Sequence, residues 1–415
     1  MIQVERHIVG RYDSRYARID HVCWLSKNLY NAGLYVIKQE FLRSGKWIRW
    51  IELNKRFLSD NNVDYRALSA WSSNNILHRL DQNLKGYFSS IKAWKRDNKK
   101  FTGCPRFPRY KDKTKGRFSF VYAAHTVRLI DGMLHFPKKE GFAPLRTRVT
   151  GGIHEVRFIP RHGYYVIEVV YEVPDVVELP DSGRYLSIDL GLDNLATCYD
   201  SNGFSFIVNG RSLKSINQYY NKRRSQLQSS LQKHHGLKHS RRLDRLTLRR
   251  NNKVADYLHK ASRLIVNYCR DHGINRIVVG YNPGWKDCIN LGSATNQNFV
   301  CLPHGRFVEM LRYKSNVLGI GFVDVNESHT SVCSSLDREA VCHHDVYVGK
   351  RIRRGLFRSG SGMLINADVN GSVNILRKVF GDDVSLRRLV NRGRVVCPVR
   401  VCADRVVGSL VLNCI

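Results

Sequence analysis

Hydrophobic positions along this chain change their period twice. Between residues 17 and 45, Val22, Leu25, Leu29, Leu34 and Ile37 recur near the 3.6-residue repeat, which predicts an amphipathic helix. Residues 63–96 predict a second helical block through Leu68, Trp71, Ile76, Leu77, Leu80, Leu84, Phe88 and Ile91. Gly103, Pro105 and Pro108 forbid a regular helix beyond it, so 92–117 reads as a basic loop with Trp94, Phe101, Phe107 and Tyr110 interleaved. From 118 to 180 the period drops to two. FSFVYAA, TVRLIDGMLHFP and IHEVRFIPRHGYYVIEVVYEV alternate, with Asp131-Gly132 and His162-Gly163 at hairpin positions. A small antiparallel barrel or sheet is expected there, followed by a break near Pro180-Asp181-Ser182-Gly183.

From residue 184 the order becomes β-β-β-α-β-α-β-α: YLSIDLGL, LATCYD, FSFIVNG, a helical 212–272, INRIVVGYN, a helix around 303–317, GIGFVDVNE and a helix 367–379. Three strands followed by alternating helices and strands predict an RNase H-like α/β domain, making the chain a multidomain α+β protein. Residues 384–415 mix Arg and Val and fit no element.

Charge changes this picture. The 415 residues carry a formal net charge of +33, far beyond what solubility needs, so a large polyanion is implied and nucleic acid is the default partner. Residues 211–263 hold fifteen Lys and Arg against two Asp, a net of +13 too lopsided for a merely solvated helical face. Residues 92–117 add +9. A membrane surface is the rival partner, but no apolar run approaches the ~20 residues of a spanning helix and the start is no signal peptide. The eleven Cys form no CxxC pair, and their odd number argues against complete pairing, which fits a reducing cytoplasm.

Three acids stand out. Asp189 sits inside the apolar strand SIDLG, where a carboxylate is costly unless paired, hydrogen-bonded or bound to metal. Asp368 begins the last helix, where a simple cap is the competing reading. Together they suit a Mg²⁺ site, two ions of which would drive phosphodiester hydrolysis. A third acid is expected after INRIVVG, but Gly280-Tyr281-Asn282 supplies none, so Glu327 is the best substitute, with Asp324 as competitor on the opposite face. Trp285 and Lys286 form a polar-aromatic turn, more simply a Trp lid on the sheet. Cys333, Cys342, His343 and His344 lack the close ligand pairs of a tetrahedral zinc site, so a loop with incidental Cys and His is favoured over zinc.

These segments resemble the TnpB family of transposon-encoded RNA-guided nucleases, the ancestor type of type V CRISPR effectors. The likeness rests on SIDLGLDNLATCYD, RRNNKVADYLHKASRLIVNYC, IVVGYNPGWK, VNESHTSVCSSLD, GKRIRRGLF with INADVNGSVNILRK, and GCPRFPRYKDK. It implies a RuvC nuclease domain over 184–383, with Asp189, Glu327 and Asp368 as catalytic metal ligands, in a branch where the middle acid has moved. It implies a basic helical insertion at 212–263 and a reduced zinc-ribbon-like loop at 328–366. Residues 1–15 with 118–183 would form a wedge barrel and 16–117 a helical recognition lobe. The implied partners are a guide RNA and target DNA, in a bacterial or archaeal cytoplasm. Expected nucleic-acid contacts are Arg106, Arg109, Lys111, Lys222, Arg223, Arg224, Arg249, Arg250, Lys253, Lys350, Arg351, Arg353 and Arg354. The alternatives are an RNA-guided DNA binder or repressor without cleavage, and a guide-free, structure-specific nuclease. Neither the guide's origin nor the oligomeric state is legible.

Overall fold

Strand β1 (Ile2–Val9) alternates exposed and covered residues, as a strand with one wet face must. It begins a computed structural model that describes residues 1–282, 302–385 and 395–404. The chain divides into two compact units, Met1–Pro174 and Asp175–Ile415.

In the first unit, α1 (Tyr16–Ser44) buries Val22, Leu29, Leu34 and Ile37, the predicted stripe. Next comes α2 (Trp50–Ser59), whose buried face is only Leu53 and Phe57, too short a repeat to betray it in the sequence. The single block expected at 63–96 is two helices, α3 (Val63–Arg66) and α4 (Ala70–Arg96), because Ser69 caps the second by accepting from the Ser72 N–H. Strands β2 (Phe120–Ala123), β3 (Arg128–Ile130), β4 (Met133–His135), β5 (Leu145–Arg146), β6 (Ile153–Arg161) and β7 (Tyr164–Glu172) follow. They form two sheets, β1-β7-β6-β2 and β3-β4-β5, around one aromatic core that includes Phe120, Tyr122 and Phe158. Both predicted hairpins exist. At β3–β4 the positive φ of Asp131 (50°) and Gly132 (71°) matches the right-handed twist of the paired strands.

The basic loop lies on α1. Lys27 donates to the Lys113 carbonyl (2.7 Å), Asn31 exchanges two hydrogen bonds with the Lys111 backbone, and Arg117 grips Asp20 with two (2.9 and 2.8 Å). Phe107 packs against Phe41 and Tyr87. At least this loop aromatic therefore serves to hold the segment down while Arg106 and Arg109 stay exposed.

The second unit is built on β8 (Tyr185–Leu190), β9 (Asn194–Asp200), β10 (Ser205–Asn209), α5 (Arg211–His235), α6 (Arg241–Asp271), β11 (Arg276–Gly280), α7 (His304–Asn316), β12 (Gly321–Val325), β13 (Lys350–Arg353), β14 (Leu356–Arg358), β15 (Leu364–Asn366), α8 (Ala367–Ser385) and β16 (Val399–Val401). The main sheet has the order β12-β11-β8-β9-β10-β16. β8, β9 and β10 are antiparallel, while β11 and β12 run parallel to β8. The helical stretch expected at 212–272 is a hairpin of two helices. α5 ends at Gly236 (φ 60°), and Ser240 caps α6. Residues 350–366, expected as loop, form the small sheet β13-β14-β15. Part of the unplaced tail is β16, parallel to β10.

Alternation along β8 sorts the two faces. Leu186, Ile188 and Leu190 pack with α6 and α7, whereas Tyr185 shares a core with Val373, Ile375 and Leu376 of α8. Asp189 has the same parity as Tyr185 and Ser187, so it faces α8.

Candidate functional site

The α8 face brings the acids together. Ser372 of α8 donates to the Ser187 carbonyl (3.1 Å), and the two hydroxyls lie 3.0 Å apart, which locks helix to strand one step below Asp189. A Cβ on Gly371 would lie 2.8 Å from Asp189 Oδ2, so only glycine lets the carboxylate sit there. Asp368 is one turn earlier. It is not the cap of α8: Asn366 Oδ1 accepts from the N–H groups of Asp368 (3.0 Å) and Val369 (3.3 Å). The Asp368 carboxylate is thereby left to accept from Asn194 Nδ2 of β9 and to meet Arg351 Nη2 of β13 at 3.5 Å. Asn194 Oδ1 in turn accepts from Arg400 Nη1 of β16 (2.6 Å).

Glu327 arrives from the turn after β12. Its carbonyl accepts from Thr330, whose own carbonyl accepts from Asn374 of α8. Lys378 Nζ donates to the carbonyls on either side, Asn326 (2.9 Å) and Ser328 (2.6 Å). The place after β11, where a middle acid was first sought, has no room for one. A Cβ on Gly280 would lie 2.5 Å from Ile375 Cδ1 and 3.3 Å from Glu327 Cβ, so Glu327 already fills the space a side chain there would need. The competitor Asp324 is engaged elsewhere, accepting from Arg312.

The carboxylates feel one another. The Asp189 carboxyl is pushed well above the usual range, first by burial, then by the negative charges of Asp368 and Glu327, with Arg351 pulling back. Burial raises Glu327 to about 7 against the pull of Lys378. Three hard oxygen donors that repel one another, rimmed by cations, are a donor set that a divalent cation of the Mg²⁺ class relieves. The set is open: among the described residues no three His, Cys, Asp or Glu side chains form a ready metal cage.

Residues 328–366 are tied by carboxylates. Glu339 accepts from the N–H groups of Ser334 (2.6 Å) and Val348 (2.9 Å), and Asp337 from Ser334 Oγ and the N–H groups of Gly360 and Ser361. Cys333 is buried, donating to the Cys342 carbonyl, and Cys342 meets His344 at 3.5 Å. Trp285 and Lys286 lie outside the described residues.

Of the expected nucleic-acid contacts, Arg106, Arg109, Lys111, Lys222, Arg224, Arg249, Lys253, Lys350 and Arg353 are exposed. Arg223 bonds Gln226, Arg250 bonds Asn217 (2.7 Å), and Arg354 is paired with Asp193. Arg351 belongs to the acid corner itself. Sequence reasoning missed Asn194, Gly371, Lys378 and Arg400. Gly371 carried a signal, three residues after Asp368 on one helical face. Arg400 carried none, since its partner is 206 residues away.

Two family models match this unit and its approach. Residues 168–286 match the IS605 OrfB family, described as probable transposase, and residues 304–375 match a Cas12f1-like TNB domain. Each half of the acid corner falls in one of them, Asp189 in the first and Glu327 with Asp368 in the second. Both matches, with the TnpB-like relative below, support a likeness to the TnpB family. A curated relative, the TnpB-like protein ORF457 of Acidianus two-tailed virus, is 27% identical over 214 residues, 49% of this chain. The match spans 43% of that relative, less than half its length. Solved structures similar to this chain include a Cas12f1–sgRNA–target DNA complex (13% identity, TM-score 0.35, 90% of this chain and 98% of that one). Another is the mini-RNA-guided endonuclease CRISPR-Cas_phi3 (10% identity, TM-score 0.46, 93% and 92%). Among the described residues no helix is long and apolar enough to cross a membrane.

Proposed function

We propose that this chain is an RNA-guided DNA endonuclease with one hydrolytic centre at Asp189, Glu327 and Asp368. The observation that supports the reading is that buried Asp189 of β8 feels the charges of Asp368 of α8 and of Glu327 from the turn after β12, in a protein of net charge +33. In this reading residues 184–383 are an RNase H-like, RuvC-type domain, residues 1–15 with 118–183 are a wedge, and 16–117 are a recognition lobe. A guide RNA would pair with target DNA and supply most of the sequence specificity.

Mg²⁺, two ions in the proposed arrangement, would activate water and stabilise the leaving oxygen when bound to the three acids. The protein's own part is placement. Gly371 admits the Asp189 carboxylate to the α8 face. Asn366 caps α8 in place of Asp368 and so keeps that carboxylate available. Asn194, held by Arg400, fixes one Asp368 oxygen, and Lys378 holds the backbone on both sides of Glu327. Arg351 stands beside Asp368, where it offers a guanidinium to a phosphate entering the corner.

The test is cleavage of matched target DNA by the purified ribonucleoprotein with Mg²⁺. Wild type cuts, while Asp189→Ala and Glu327→Ala do not. Full activity in Glu327→Ala overturns the assignment of the middle acid. Tight target binding with no metal-dependent cut in wild type would establish the repressor reading instead.

A further inference from the structure

The hairpin of α5 and α6 holds a cleft of about 210 Å³, lined by Tyr219, Arg223 and Leu227 from one helix and Arg242, Arg245, Leu246 and Arg249 from the other. The spacing explains the lining. Positions 219, 223 and 227 are four apart and 242, 245, 246 and 249 are three or four apart, so each set shares one helical face. Beside it, Tyr220 meets Thr247 (3.1 Å) and Arg250 donates to Asn217 (2.7 Å), which closes the seam between the helices. The cleft is thus a recess between two packed helices.

Its charge is uncompensated. Four guanidiniums face one small space, and among the described residues no carboxylate pairs with Arg242, Arg245 or Arg249. Asp244, the acid nearest in sequence, does not line the cleft, and Asp256 further along α6 is taken by Lys260 at 2.7 Å. Like charges gathered this way repel and cost stability unless an anion joins them. Tyr219, 64% exposed, offers an aromatic face beside them, and Leu227 and Leu246 add apolar wall. A duplex backbone needs only phosphate contacts and has no use for a recess with a bare aromatic ring. An unstacked nucleotide uses both, its base against the ring and its phosphates against the arginines. The volume lies below the ~300 Å³ at which pockets for larger ligands begin. It suits one base and its phosphate.

We propose that the α5–α6 cleft binds a single extruded nucleotide of a nucleic-acid strand, with Tyr219 stacking on the base and Arg242, Arg245 and Arg249 holding the flanking phosphates. This rests on the nucleic-acid reading above but not on cleavage. It also assigns Tyr219, Arg242 and Arg245 a role that the charge pattern alone did not single out.

The experiment uses the full-length protein, fluorescein-labelled 20-nucleotide single-stranded DNA and RNA, and anisotropy titrations at several KCl concentrations. Ultraviolet cross-linking with peptide mapping accompanies them. Tyr219→Ala is expected to weaken binding about tenfold and Tyr219→Phe to leave it unchanged, because stacking needs the ring and not the hydroxyl. The double variant Arg242→Gln/Arg245→Gln is expected to flatten the salt dependence by about two in log–log slope. A cross-link is expected on the peptide containing Tyr219. Unchanged binding in Tyr219→Ala together with no adduct there overturns the proposal. So does a Tyr219 adduct that forms with free ATP and not with the oligonucleotides, which would make the cleft a free-nucleotide site. The two readings fail separately: a wild type that binds oligonucleotide through Tyr219 yet makes no metal-dependent cut overturns the cleavage reading and leaves the cleft proposal standing.

Discussion

The acid corner and the α5–α6 cleft are opposite cases of one design. In each, side chains of like sign are gathered in one unit with no protein counter-charge sufficient to neutralise them. They differ in how the gathering is held. Asp189 is set in a central strand against α8, and burial first, then the charge of its neighbours, pushes its carboxyl far upward. The arginines stand on long side chains at a helix surface, where water screens part of their repulsion and an anion can relieve the rest. A rigid, partly buried cluster suits a small ion that demands fixed oxygens. A flexible, wet one suits a polymer whose phosphates vary in position. The difference predicts that geometry controls the first site and charge count the second.

The sharpest way to break that contrast is Gly371→Ala. Its Cβ would fall 2.8 Å from Asp189 Oδ2 and shift the carboxylate without removing any charge. Cleavage is expected to fall about 10²-fold, as for ångström misplacements elsewhere, with oligonucleotide binding unchanged. A comparable loss of charge-neutral geometry in the arginine cleft should do far less.

A smaller effect is expected from Arg400→Gln, which frees Asn194 and only loosens Asp368. About tenfold weaker Mn²⁺ binding, measured by paramagnetic resonance on the guide-free protein, would match the usual cost of losing a supporting hydrogen bond around a metal ligand. Unchanged affinity would reduce Arg400 to a surface contact.

The smallest effect concerns stability. Without metal, Glu327 is raised from 4.5 to about 7, so the folded state holds a proton there that the unfolded chain has released. This contribution is complete below about pH 4.5 and is lost as pH rises through about 7. Glu327→Gln lacks that loss. Chemical denaturation in EDTA should show the variant gaining on wild type between pH 5 and 7.5, by on the order of 2 kcal/mol. A constant difference across that range would show that burial does not set the Glu327 carboxyl.

What the sequence reveals follows the range of the interactions involved. The parity of Asp189 along β8 and the helix begun at Asp368 are local, and both were readable. Glu327 emerged by elimination, but its reason lies in Gly280, where an added Cβ would meet Ile375 and Glu327, neighbours it has only in the folded chain. The α5–α6 break was written in Gly236 and Ser240, yet basic residues recur on both sides of it and made the stretch read as one helical segment. The sheet at 350–366 escaped because its strands are three or four residues long. β16 escaped because nothing near it in sequence hints at β10.

The thread from Arg400 through Asn194 to Asp368 also sets a clock. A chain is made from its amino end, and its parts fold as they emerge. Asn194 appears early, Asp368 follows 174 residues later, and Arg400 comes 206 residues after Asn194. While synthesis is under way, an emerging protein therefore carries its basic helices before its acid corner is finished. In the proposed reading, the residues that hold a nucleic acid are made before those that complete the cutting site.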